Sequence, residues 1–406
     1  MTPSPHLHAF AGFGIELEYM IVDRESLATR PLAELLLVDE HGDIVNEVAH
    51  GELAWSNELV AHVVELKTNG PAESLAGLGA RFHQDVRAIN QRLAPEGAML
   101  LPTAMHPLFD PASDTVLWPH GQNEIYAAYD RIFGCRGHGW SNLQSMHINL
   151  PFADDAEFVR LHAAIRAVLP ILPALAAASP LQQGQATGWL DVRLRFYRDN
   201  QRAVPQISGA VIPEPIASIS EYHQHILEPM YRAIAPLDAD DILAEDWLNS
   251  RAAIARFERQ TIEIRILDLQ ECPAADLAIA RAVVSLVRRL YDGEIALERL
   301  QSLDTESMAE TLFACAREGR HVRIDDRLWC AAFDLEPGIQ AGDALRALLA
   351  RGWLGEARPE LTHIIERGPL AERILTRLGT TPERGQIIDL WRELARCLSE
   401  NRPFPG

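Results

Sequence analysis

Glutamates at positions 16 and 18 bracket one leucine in the run Phe13–Asp23, FGIELEYMIVD. Residues two apart on a β-strand share a face, so both carboxylates would point one way and Ile15, Leu17 and Tyr19 the other. Like charges this close raise one another's pKa unless a cation stands between them. A divalent metal is one answer, and oxygen ligands suit a hard ion such as Mg2+. An edge strand with a solvated acidic face is the other.

Two later runs repeat the design. In Asn142–Leu150, Ser145, His147 and Asn149 alternate with Met146, Ile148 and Leu150. In Arg259–Leu267, Thr261, Glu263 and Arg265 alternate with Ile262, Ile264 and Ile266. Carboxylates with a neutral imidazole suit two Mg2+ or Mn2+ ions. A guanidinium such as Arg265 matches phosphate geometry and would reach a nucleotide's terminal phosphate. Taken singly, Glu263 with Arg265 also reads as an ion pair and His147 as a hydrogen-bonded core histidine.

The elements that must hold these groups follow from periodicity. Short apolar runs Leu35–Val38 and Ile44–Val48 flank the turn-rich Asp39–Asp43 and predict a hairpin. Glu58–Thr68 predicts a loop passing into a strand. Glu58 and Glu65 are seven apart and would face opposite ways on one unbroken strand, so either Glu58 lies in the loop or only one of them reaches a site. Glu73–Leu93 is an amphipathic helix ended by Pro95–Gly97, and Met99–Pro102 a short strand. Residues 108–140 form a long excursion with a short helix near 124–133, as lids and binding loops do. A helix through Phe158–Leu169 is capped by Asp154 or Asp155, and Asp276 caps the helix after the last strand. Residues 189–215 read as mixed and turn-rich, with Arg193 and Arg195 as candidates for a substrate carboxylate or a phosphate. Beyond about 294 the pattern is helical, with packing, homo-oligomerisation or partial cover of a cleft as the roles open to it.

A formal charge of -20 over 406 residues argues against a nucleic-acid partner. Five scattered cysteines without CxxC spacing read as reduced thiols of a cytoplasmic protein. No leader pattern opens the chain, and the apolar run Ala163–Ala178 is interrupted by Arg166, Pro170 and Pro173, so no membrane partner is expected. Neither GxGxxG, GxxxxGK[ST] nor GxSxG occurs.

In this order, Gly14–Glu18, Glu58, Val64–Leu66, Thr103–Pro107, Met146–Leu150 and Thr261–Arg265 resemble the motifs of the glutamate–cysteine ligase type 2 and carboxylate–amine ligase group, within the glutamine synthetase-like superfamily. The resemblance covers roughly residues 10–290. It implies an α+β fold, a curved antiparallel β-sheet funnel with helices packed outside. Residues 1–295 would be the catalytic domain and 296–406 a helical extension packed on it. ATP would enter at one end and a small carboxylate substrate at the other, to be joined to an amine. The resemblance gives Glu16 and Glu18 to different metal ions, with Glu65 and Glu58 at the substrate-side ion. His147 and Glu263 would hold the ion at the phosphates, and Arg265 would steady the transferred phosphoryl group. Many type 2 ligases carry His-x-His where this chain has Ser145-Met-His147. The implied activity is amide ligation through an acyl phosphate, with glutamate and cysteine as the default pair. A guanidino-type phosphotransferase and a non-catalytic metabolite-binding paralogue are the alternatives.

Overall fold

The computed structural model describes residues 6–293 and 295–406. Its centre is an open antiparallel sheet of eight strands: β1 (Gly14–Asp23), β2 (Glu47–His50), β3 (Leu53–Asn57), β4 (Val63–Thr68), β5 (Ala98–Leu101), β6 (Ser145–Pro151), β7 (Ala253–Arg256) and β8 (Thr261–Asp268). The order is β2-β3-β4-β1-β6-β8-β7. Met20 pairs with Val63 of β4 and with Leu101 of β5, so β5 lies on the β6 side of β1, along its second half. This is the expected α+β class, with the sheet open rather than closed.

Alternation along β1 decides which face is covered. Ile15, Leu17 and Tyr19 are fully buried and join one core with Phe82, Val86 and Ile89 of helix α1 (Leu78–Leu93). Helices α2 (Asp155–Val168) and α4 (Pro273–Tyr291) complete that layer, while α3 (Val192–Asp199) packs near the end of β8. One helical stretch, Asp155–Ala176, has the length and apolarity to cross a membrane, but 94% of its most apolar window is buried inside the protein.

The segment after 295 is built into the same body. Residues between Leu300 and Ile365 join the main core. Helix α5 (Arg384–Glu400) and Leu370 and Ile374 form a second core with Met20, Val22, Leu101 and Phe109, on the Glu16 and Glu18 face of β1 over its far half. Trp391 Nε1 donates to Thr103 Oγ1 at 3.1 Å, holding a buried β-branched residue at φ 80 just beyond β5. Only glycine and a few polar residues enter that region without strain, so this contact helps over-determine the turn.

Four local expectations are corrected. The hairpin forms one turn later, between β2 and β3, and Val38 and Ile44 make only an isolated bridge. The reason is burial: Leu53 and Trp55 are core residues, whereas Val38 and Ile44 stay exposed. Residues 192–199 are helical rather than irregular, capped by the Asp191 carboxylate accepting from Leu194 N–H. The first helix begins at Leu78 rather than at Glu73, and α4 begins at Pro273, so Asp276 is not its cap but accepts from Gln270 N–H at 2.8 Å.

Candidate active site

Antiparallel register turns strand alternation into a cluster, because directly opposed residues share a face. Lys67, Glu16 and His147 stand opposite one another across β4, β1 and β6. Glu18 faces Glu65, and Asn149 faces Gly14 on one side and Glu263 on the other. Gly14 is required here, since a Cβ would lie 2.8 Å from the Asn149 Cβ. Glu16, Glu18, Glu65, His147, Asn149 and Glu263 are all buried.

His147 is the hub. Its Nδ1 lies 2.8 Å from Glu16 Oε2 and 3.9 Å from Glu263 Oε1. Its Nε2 lies 2.9 Å from Ser145 Oγ and 3.7 Å from Glu18 Oε1. Glu18 Oε2 accepts from Ser145 N–H at 2.7 Å and from its hydroxyl at 3.0 Å. When that hydroxyl donates to Glu18, the imidazole donates to Ser145 as well as to Glu16, the arrangement of a protonated ring. Its pKa agrees: burial pulls it down, but the Glu16 hydrogen bond and the charges of Glu18, Glu16 and Glu263 raise it above the ordinary value. Ser145 thus orients the imidazole of His147.

The two ends of the cluster differ in charge. Burial and Glu263 push Glu16 up, but the hydrogen bond and charge of His147 prevail and leave it below the ordinary range. Glu263 is also lowered: against burial act Arg265, His147, Arg256 and Arg259. Its Oε1 lies 3.0 Å from Arg265 Nε and its Oε2 3.1 Å from Arg256 Nη1. At the other end burial raises Glu18, Glu58 and Glu65, and the carboxylates reinforce one another. Glu58 sits in the connection between β3 and β4, half-buried, and feels Glu18 and Glu65 most among charges. Glu65 is held by Ser56 Oγ at 2.5 Å and Lys67 Nζ at 3.1 Å.

Ligand atoms of Glu16, His147 and Glu263 lie within 4.8 Å of one another, and so do those of Glu18, Glu65 and His147. The donor set fits a hard divalent ion: oxygens dominate, one imidazole is present, and a proton on His147 together with raised carboxylates marks where cationic charge is wanted. A cavity of about 460 Å³ opens at the Glu16 end, lined by Gly14, Glu16, Lys67, Asn149, Arg259 and Thr261 among others.

The remaining candidates are placed differently. Arg265 lies beside Glu263, aimed by a bulge between Ile264 and Leu267, and donates from Nη1 to the Asn249 carbonyl at 3.2 Å. Arg193 is buried with its Nε 2.6 Å from Asp268, and its Nη2 donates to the Arg265 carbonyl at 3.4 Å. Its charge reaches Glu18 but its donors serve the protein. Arg195, two residues on along a helix, turns away and lies over the Phe196 ring. Sequence reasoning missed Lys67, which period two from Glu65 on the same strand could have found. It also missed Arg256, which carries no periodic signal, and Arg259, which is in phase with Thr261 and Glu263 but lies in the turn before β8.

The model of glutamate–cysteine ligase family 2 matches residues 12–393. An uncharacterised Archaeoglobus fulgidus protein is 35% identical over 96% of this chain and 99% of its own length. A Rubrobacter xylanophilus protein provisionally named glutamate–cysteine ligase 2-3 is 28% identical over 77% of each chain. The crystal structure of a Francisella tularensis glutamate–cysteine ligase in complex with AMP superposes with a TM-score of 0.53 and 12% identity, over 96% of this chain and 93% of that one. That likeness shows the fold.

Proposed function

The chain belongs to glutamate–cysteine ligase family 2, a family of carboxylate–amine ligases, and on that premise we propose that it makes an amide from a carboxylate and an amine at the cost of ATP. The observation that carries the reading is the pair of carboxylate clusters sharing His147, beside a cavity with room for a nucleotide. The AMP bound to the Francisella tularensis enzyme supports an adenine nucleotide.

A carboxylate oxygen attacks the γ-phosphorus of ATP, the bond to the β-phosphate oxygen breaks, and ADP leaves with the electron pair. The amine nitrogen then attacks the acyl phosphate carbon, phosphate departs and the amine releases a proton. Such transfer needs alignment and charge balance rather than covalent help from the protein. Mg2+ or Mn2+, when bound, supplies positive charge at the phosphates and the substrate carboxylate. Glu16, His147 and Glu263 would hold one ion, Glu18, Glu65 and Glu58 the other. Arg265 steadies the moving phosphoryl group, and Asn149 keeps Glu16 in place through a 3.0 Å hydrogen bond. ATP comes in from the Glu16 end and the substrates meet at the Glu18 end. Residues 296–406 brace this catalytic body as a helical extension. Glutamate and cysteine are the first substrate pair to test.

The test is a screen of amino acids and amines for stimulated ADP release, with and without EDTA, followed by product mass. An amide product with a metal requirement is expected. Glu16→Gln should abolish turnover while leaving the unfolding midpoint within a few degrees, and full turnover in that variant would sink the proposal. A phosphorylated guanidino product in place of an amide would replace it by phosphotransfer.

A further inference from the structure

The turn between β7 and β8 carries a guanidinium with no role so far. Arg259 ends a short 3-10 turn, Phe257–Arg259, followed by Gln260 at φ 52. The backbone of that turn is anchored: Gln260 N–H donates to the Phe257 carbonyl at 3.1 Å, and Phe152 N–H to the Gln260 carbonyl at 3.0 Å. Phe257 itself stacks on His223 and packs against Phe158 and Tyr222. The Arg259 side chain is nevertheless 52% exposed.

The other cations near the cavity are committed. Lys67 bridges Glu47 at 2.8 Å and Glu65 at 3.1 Å. Arg256 is held by Asp246 and Glu263, both at 3.1 Å. Arg265 is held by Glu263 and the Asn249 carbonyl. Arg259 approaches Glu16 Oε1 only to 3.7 Å, beyond hydrogen-bond reach, and that oxygen already accepts from Asn149. It stands over Glu16 on the wall of the 460 Å³ cavity, and its charge is felt at Glu263 as well.

A guanidinium on a fixed base, with no hydrogen-bond acceptor for its donors among the described residues and a cavity before it, is arranged to meet an anion that is not part of the chain. We propose that Arg259 is a further phosphate-binding residue of the nucleotide site, its guanidinium moving off Glu16 to bind the phosphates beyond the α-position. This rests on the ligase reading above. The placement argues for the distal phosphates because Glu16 and Glu263 are the pair assigned to the ion there. Adenosine monophosphate, lacking those phosphates, serves as the control ligand.

The experiment measures binding of a non-hydrolysable ATP analogue with Mg2+, and of AMP, to the full chain by titration calorimetry. The loss of a charge-assisted hydrogen bond predicts that Arg259→Gln weakens the analogue about 10- to 100-fold while AMP affinity is unchanged, with Arg259→Lys recovering part of the loss. The melting temperature without ligand should stay put, as expected for an exposed side chain. Analogue binding by Arg259→Gln as tight as wild type overturns the role of Arg259 alone. Tighter Mg2+ binding in the variant with unchanged nucleotide affinity also overturns it, since the arginine would then only neutralise Glu16. Wild-type protein that binds neither nucleotide overturns the ligase reading and this inference together.

Discussion

Replacing Glu263 by glutamine separates a working site from a buried packing arrangement. Glu263 is 2% exposed, and three cationic side chains surround it: Arg265 at 3.0 Å, Arg256 at 3.1 Å and His147 at 3.9 Å. The amide keeps the shape and one acceptor but removes the charge. Breaking a buried ion pair from one side costs about 3–5 kcal/mol. Arg256 and Arg265 keep some contact with water, at 17% and 24% exposure, which puts the expected loss at the low end, about 3 kcal/mol. An unfolding entropy of about 2 cal/mol/K per residue, over 406 residues, turns that into a fall in Tm of about 3–4 °C. A second signature is linkage. Mg2+ with a non-hydrolysable ATP analogue at about 100 times Kd should stabilise wild type by roughly 2.7 kcal/mol, a rise of about 3 °C. Glu263→Gln should lose most of that rise, because it lacks the carboxylate assigned to the ion at the phosphates. Differential scanning fluorimetry with and without ligand reads both effects. An unchanged Tm together with an undiminished ligand-induced rise would refute the reasoning, showing that Glu263 serves neither the sheet nor the ion.

Two further outcomes follow from the geometry. Gly14→Ala places a methyl group 2.8 Å from the Asn149 Cβ and should displace the amide that holds Glu16. Overpacking predicts a loss of about 1–3 kcal/mol in urea unfolding along with weakened nucleotide binding; wild-type values in both would contradict the register. His106 is buried with Nε2–H donating to the Leu27 carbonyl at 2.7 Å and Nδ1 accepting from Leu108 N–H at 3.1 Å. Both nitrogens are therefore committed to the neutral ring, and burial pulls the pKa from 6.5 to about 4. Stability from this group is present above pH 6.5 and lost as the pH falls toward 4, on the order of 3 kcal/mol in all. Urea unfolding of wild type and His106→Gln should show an advantage for wild type at pH 7 that shrinks on acidification, and a difference independent of pH would contradict it.

Most of the candidate site was legible because strand periodicity is local. Alternation in GIELE, SMHIN and TIEIR follows from residue types alone, and so does the sorting of carboxylates, imidazole and guanidinium to one face. The greasy faces of the three runs call for helices as partners, so a sheet covered on one side by helices was readable from the same pattern, whereas its antiparallel form followed only from the family resemblance. Where apolar residues were merely turn-flanked, as at Val38 and Ile44, pattern without burial misled.

What the chain alone determined, then, is which groups are offered and from which face. Which of them meet was decided by tertiary structure. Glu16 and His147 are separated by 131 residues and meet through a register no local signal encodes. Arg193 was drawn to Asp268 because a buried guanidinium needs a carboxylate. Arg259 was set over Glu16 by a turn whose shape depends on Phe152, Phe158 and His223. The physical reason is the same each time: periodicity orients a side chain with respect to its own strand, whereas its partner is chosen by contacts between segments far apart along the chain.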